Sequence, residues 1–126
     1  MSVFSRLSLI SRRKKIKLFY DLMKPTAESR VLDLGGEINP HGDRGLQLID
    51  SYPWWQNLYA INIDEHAIDE IRNHYPDVKA QVASACDIPW PDKYFDMVYC
   101  NAVVEHVGDF NAQKKMAAEV MRVAKR

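Results

Sequence analysis

Apolar residues recur along this chain in two rhythms, and the alternation between them predicts the architecture. Phe4, Leu7, Ile10, Ile16, Phe19, Tyr20 and Met23 fall at helical spacing, and Pro25 stops the pattern, so a helix is expected over 3–23. Short apolar runs at 29–34, 58–63, 78–83 and 94–100 read as four strands. A short helix fits 45–51. Asp64 is a good N-cap for a helix over 65–75, with Ala67, Ile68 and Ile71 on one face and Pro76 beyond it. Residues 111–123 form a last amphipathic helix. Strands alternating with helices through short connections imply a parallel sheet with right-handed crossovers. Residues 37–44 stand out as a long polar connection, and Tyr52, Trp54 and Trp55 as an aromatic cluster expected to pack under a loop.

Charge changes the picture more than composition does. The chain has 126 residues, enough for one domain, with an ordinary 47% apolar fraction and a formal net charge of zero. That zero is unevenly placed: eight Lys or Arg and two acids lie in residues 1–30, so a +6 arm precedes a −6 body. The acidic body argues against a broad nucleic-acid footprint. The arm's dense basic run, Ser11 to Lys17, is read first as the exposed side of a leading helix that packs on the sheet. The competing reading is a membrane-surface helix, or a lid that meets an anionic substrate. Cys86 and Cys100 have no metal or redox spacing and no secretory signal precedes them, which fits reduced thiols in a cytoplasmic protein. His41, His66 and His74 have no ligand-like spacing with the cysteines, so no metal is expected.

Candidate chemistry gathers at the strand ends, where an open parallel sheet presents its ligand. Val31 to Pro40 reads VLDLGGEINP: a buried strand carrying Asp33, then Gly35 and Gly36, which free the backbone to turn sharply. The other ends carry Asn62-Ile63-Asp64, Cys86-Asp87-Ile88, and Asn101 with Glu105-His106. A nucleoside ligand needs such a set: a close-approach turn, a partner for ribose hydroxyls, an acceptor for a base amine, and apolar side chains such as Ile63 and Ile88 to sandwich the base.

Residues 85–107, ACDIPWPDKYFDMVYCNAVVEHV, together with EVMRVAK at 119–125, resemble the class I S-adenosylmethionine-dependent methyltransferases of the small-molecule type. Asp87, Ile88, Pro89, Pro91, Phe95, Asp96, Val98, Glu105 and His106 carry the likeness, which extends over about residues 30–126. The resemblance implies an α/β, Rossmann-like parallel sheet, with the N-terminal cofactor-binding half present and a basic helix before it. It divides the chain into a basic helical segment, 1–28, and a partial methyltransferase-like domain, 29–126. It implies S-adenosylmethionine as cofactor. Asp33, Gly35, Gly36 and Asn101 would then lie by its methionine portion, and Asn62 at the ribose, with Asp64 as a substitute. Asp87 would accept from the adenine amine, with Cys86, Ile63 and Ile88 beside the base. Asp96 is expected to support the fourth strand.

Two departures from the family pattern stand out. Glu37 and Asn39 stand where the second and third glycines of the turn are usual, and Asn62 replaces an acid, losing a charge-assisted hydrogen bond. His106 has two readings: a base that takes a proton from an oxygen or nitrogen nucleophile, or a pocket-wall histidine. The expected function is methyl transfer to a small-molecule acceptor; its rivals are a non-catalytic methyltransferase-like module and a nicotinamide-dependent Rossmann domain. Because the family continues into further strands, the chain is expected to be a fragment whose fourth strand is a free edge open to self-association.

Overall fold

In the computed structural model, residues 3–40 (side chains from 13 onward), 47–100 and 108–125 are described. The elements are α1 (Val3–Met23), β1 (Val31–Leu34), α2 (Leu48–Ser51), β2 (Leu58–Asn62), α3 (Glu65–His74), β3 (Lys79–Val82), β4 (Met97–Cys100) and α4 (Phe110–Val123). All pairings are parallel, in the order β3-β2-β1-β4. The expected alternation holds, and the strands are shorter than their apolar runs. Residue 29 is drawn into a turn, its N–H donating to Thr26 O at 3.1 Å, so β1 starts at Val31. Phe95 leaves the β4 ladder to pair with Ala124, its N–H donating to Val123 O at 2.9 Å and its carbonyl accepting from Lys125 N at 2.8 Å.

Alternation along β1 builds a core on each face of the sheet. Val31 faces a cluster with Ile16 and Phe19 of α1, Ile49, Tyr52, Ile68 and Ile71. Leu32 and Leu34 face a second cluster with Tyr59, Ile61, Ile88, Phe95, Met116 and Val123. The carboxyl half of α1 thus packs on the sheet as first read, with Phe19 edge-on to Tyr99 of β4 at 5.3 Å, while Arg13, Lys14 and Lys17 stay exposed. The aromatic cluster also packs: Trp55 lies against Tyr75 at 4.9 Å and donates its indole N–H to Ile49 O at 2.9 Å. It precedes β2, and so sits at the amino ends of the strands. Asp96 accepts from Arg30 N at 2.8 Å and from Lys125 Nζ at 3.2 Å, tying the foot of β4 to β1. No helix among the described residues is long and apolar enough to cross a membrane.

Candidate functional site

The strand order reverses between β1 and β4, and open α/β sheets bind ligands in the crevice outside the carboxyl ends at such a point. The turn after β1 lies on one side of that crevice. Gly35 has φ +76°, a conformation that side-chain-bearing residues rarely adopt. Gly36 is required by packing instead: a Cβ there would meet Ala60 Cβ at 3.0 Å and Asp33 Oδ2 at 3.2 Å. Both amides donate to Ile61 O, at 2.9 and 3.1 Å, so the turn is wired to the end of β2 and those two N–H groups are already spent. Beyond it the connection is less exposed than its polar sequence suggests. Ile38 and Asn39 are buried, and Asn39 N donates to Asp50 Oδ2 at 2.6 Å, while Tyr75 Oη donates to Asp50 Oδ1 at 2.6 Å.

Asp33 sits under this turn, in register with Ala60 of β2 and Tyr99 of β4. It is 5% exposed, and no described residue donates a hydrogen bond or an ion pair to its carboxylate. Burial, with a contribution from the negative charge of Glu37, pushes its pKa up to about 7. A buried carboxylate without a donor is costly, and fits a site that receives a positive group.

The end of β2 is a relay of side-chain bonds. Asn62 Nδ2 donates to Gly36 O at 3.0 Å, and its Oδ1 accepts from Asp64 N at 2.9 Å. One N–H and one lone pair of the amide remain for a ligand. Asp64 caps α3, accepting from His66 N at 3.0 Å, and its side chain is exposed. Ile63, between them, is 70% exposed. Ile88, expected on the other side of the base, is 2% exposed and packed in the second core. The apolar side chain open at this end is therefore Ile63. Asp87 is exposed, and Cys86 is half-buried with its thiol donating to Ala112 O at 3.3 Å.

The Asp87 loop is held by two residues that the motifs did not single out. Glu119 of α4 accepts from Ile88 N at 2.7 Å. Arg122 donates to Ile88 O and Trp90 O, both at 2.9 Å, to Asp92 Oδ1 at 3.0 Å, and to both Glu119 oxygens at 2.7 and 2.9 Å. The guanidinium holds Glu119 below the usual carboxylate range, and Ile88 N adds to the effect. Trp90 anchors the same loop from below, edge-on to Tyr59 and Phe95 at 5.5 and 5.3 Å. The clue in the sequence was an acid beside Val120 on the α4 face that carries the buried Met116 and Val123. Asn101, Glu105 and His106 lie outside the described residues.

A Rossmann-like parallel sheet with an acid and a glycine turn under its switch point defines the class: the fold of the class I S-adenosylmethionine-dependent methyltransferases. The chain belongs to the methyltransferase-domain family, which matches residues 43–126. Over 67 residues it is 31% identical to a Mycobacterium tuberculosis protein named "Probable S-adenosylmethionine-dependent methyltransferase MT3114", a match covering 53% of this chain and 24% of that one. The YcgJ protein of Bacillus subtilis superimposes with a TM-score of 0.69 at 24% identity, over 90% of this chain and 47% of its own. PH0226 of Pyrococcus horikoshii does so with a TM-score of 0.67 at 23% identity, over 91% and 52%. The chain thus spans about half the length of these solved structures, and the likeness to them is one of fold.

Proposed function

We propose that the crevice at the carboxyl ends of the strands binds S-adenosylmethionine, and that the protein transfers its methyl group to a small-molecule acceptor. The observation that carries this reading is Asp33, a buried carboxylate with no donor among the described residues, beside a glycine turn at the switch point. Such a group suits the cationic methionine end of the cofactor. When bound, the cofactor supplies an activated methyl on a sulfonium, and transfer from it depends on in-line positioning and exclusion of water.

This chain's residues divide the binding work. Asp33 holds the positive end, and Gly36, lacking Cβ, keeps the turn close over it. Asn62 offers its remaining N–H and lone pair to ribose hydroxyls, with the exposed Asp64 carboxylate beside it. Asp87 accepts from the adenine amine, Ile63 and Cys86 flank the base, and Ile88 supports the loop from the core. Asn101 lines the methionine side, and His106 takes the proton of an oxygen or nitrogen acceptor. Calorimetric titration with S-adenosylhomocysteine tests the reading. One-to-one binding that is lost on Asp87→Ala is expected; no binding by a folded chain overturns it.

A further inference from the structure

The packing of α1 leaves a second apolar line on the helix unused. Ile16 and Phe19 are buried against the sheet, with Tyr20 and Met23 packed beside them. Leu18 and Leu22, one helical turn apart, remain 55% and 69% exposed. At 100° per residue both lie on the side of the helix away from the packed face. Arg13 and Lys14 are exposed on the same helix, and Lys14 stands one turn before Leu18. The sequence keeps this period back through Ser11, Leu7 and Phe4, at steps of three and four.

Two exposed leucines in line with an exposed lysine, on a face that contributes nothing to the core, match an interfacial amphipathic helix. We infer that the outer face of α1 seats on an anionic lipid surface, with Leu18 and Leu22 inserted at the headgroup boundary and Lys14 among the phosphates. The charge distribution fixes the orientation: the −6 body is repelled by such a surface while the +6 arm is attracted. Phe19 packs on Tyr99, the register partner of Asp33, and Met23 leads toward the start of β1. The helix therefore runs back toward the carboxyl ends of the strands, which places the candidate site near the lipid and suits a membrane-borne acceptor.

Co-sedimentation of the full chain with vesicles of equal parts phosphatidylglycerol and phosphatidylcholine, at low salt, tests the inference. Binding to these and none to pure phosphatidylcholine is expected. Lys14→Glu should lower partitioning at least about fivefold, from the attraction of one basic residue near a charged surface. Leu18→Ser with Leu22→Ser should abolish seating while leaving the melting temperature unchanged, since neither leucine is in the core. Failure of the folded wild-type chain to sediment with anionic vesicles overturns the inference. So does binding that the leucine variant retains in full, which would be charge attraction alone. So does a dimer in sedimentation velocity that the leucine variant dissolves, which would make the line a contact between copies. S-adenosylhomocysteine binding is read separately, so failure here leaves the methyltransferase reading standing.

Discussion

Two carboxylates beside the crevice are held in opposite ways. Asp33, under the turn after β1, is buried with no donor among the described residues, and its pKa is pushed up to about 7. Glu119, behind the loop after β3, receives one backbone and two guanidinium hydrogen bonds and is held below the usual range. Hydrogen-bond partners outweigh burial at Glu119, while at Asp33 burial and the Glu37 charge act together and no described residue donates against them. A satisfied acid fixes a loop, while an unsatisfied one suits the positive group that the proposed function places there. The glycine turn keeps its shape through backbone amides given to Ile61 rather than through a hydrogen bond to its acid.

The largest expected effect breaks this contrast at Asp33. Its native pKa lies above the ordinary 3.8, so the folded state binds the proton more tightly. Stability should therefore fall as pH rises from about 4 to about 7, by on the order of 4 kcal/mol from the linkage relation, and level off above. Denaturant melts across that range should show the slope in the wild type and lose it in Asp33→Asn, which should also weaken S-adenosylhomocysteine binding.

Next comes the other acid's partner. Arg122→Ala strips Glu119 of its counter-ion and removes a donor from each of two loop carbonyls, Ile88 O and Trp90 O. A loss of about 2–3 kcal/mol is expected from charge-assisted hydrogen bonds that are partly open to water. Hydrogen exchange should speed at residues 86–92 and stay slow at Gly35 and Gly36, whose amides do not depend on this clamp. Equal loss at both segments would show that they form one cooperative unit.

Smallest is Gly36→Ala. The added methyl meets Ala60 and Asp33, so a cost of about 1–2 kcal/mol is expected from overpacking. Here the exchange pattern should reverse, with protection lost at the turn and kept at 86–92. Urea midpoints of the two single variants and of the double variant should add, because the two anchors share no partner.

These contrasts mark what could be read from the residues alone. Strand and helix order was legible because period two and period 3.6 differ over a few residues. The strand bounds were not, since Thr26 and Ala124 compete for the ends of β1 and β4 and neither competition shows in local hydropathy. Asp33 and the glycine pair were legible as a strand-end motif, and Glu119 and Arg122 were not. Their contacts with Ile88 bridge 31 and 34 positions, and only their place on the packed face of α4 hints at them. Ile88 looked like a base-facing residue beside Asp87. Its backbone is gripped on both sides by that pair, and its side chain turns into the core.

A buried acid that titrates near neutrality also makes ligand binding a proton-exchange event. In the proposed reading, a cation settling beside Asp33 draws its pKa down and sends a proton to the buffer. Binding heats measured at neutral pH should then differ between Tris and phosphate, which take up a proton with different enthalpies, while the affinity stays the same. The slope of heat against buffer ionisation enthalpy would count the protons released, and Asp33→Asn should bring that count to zero.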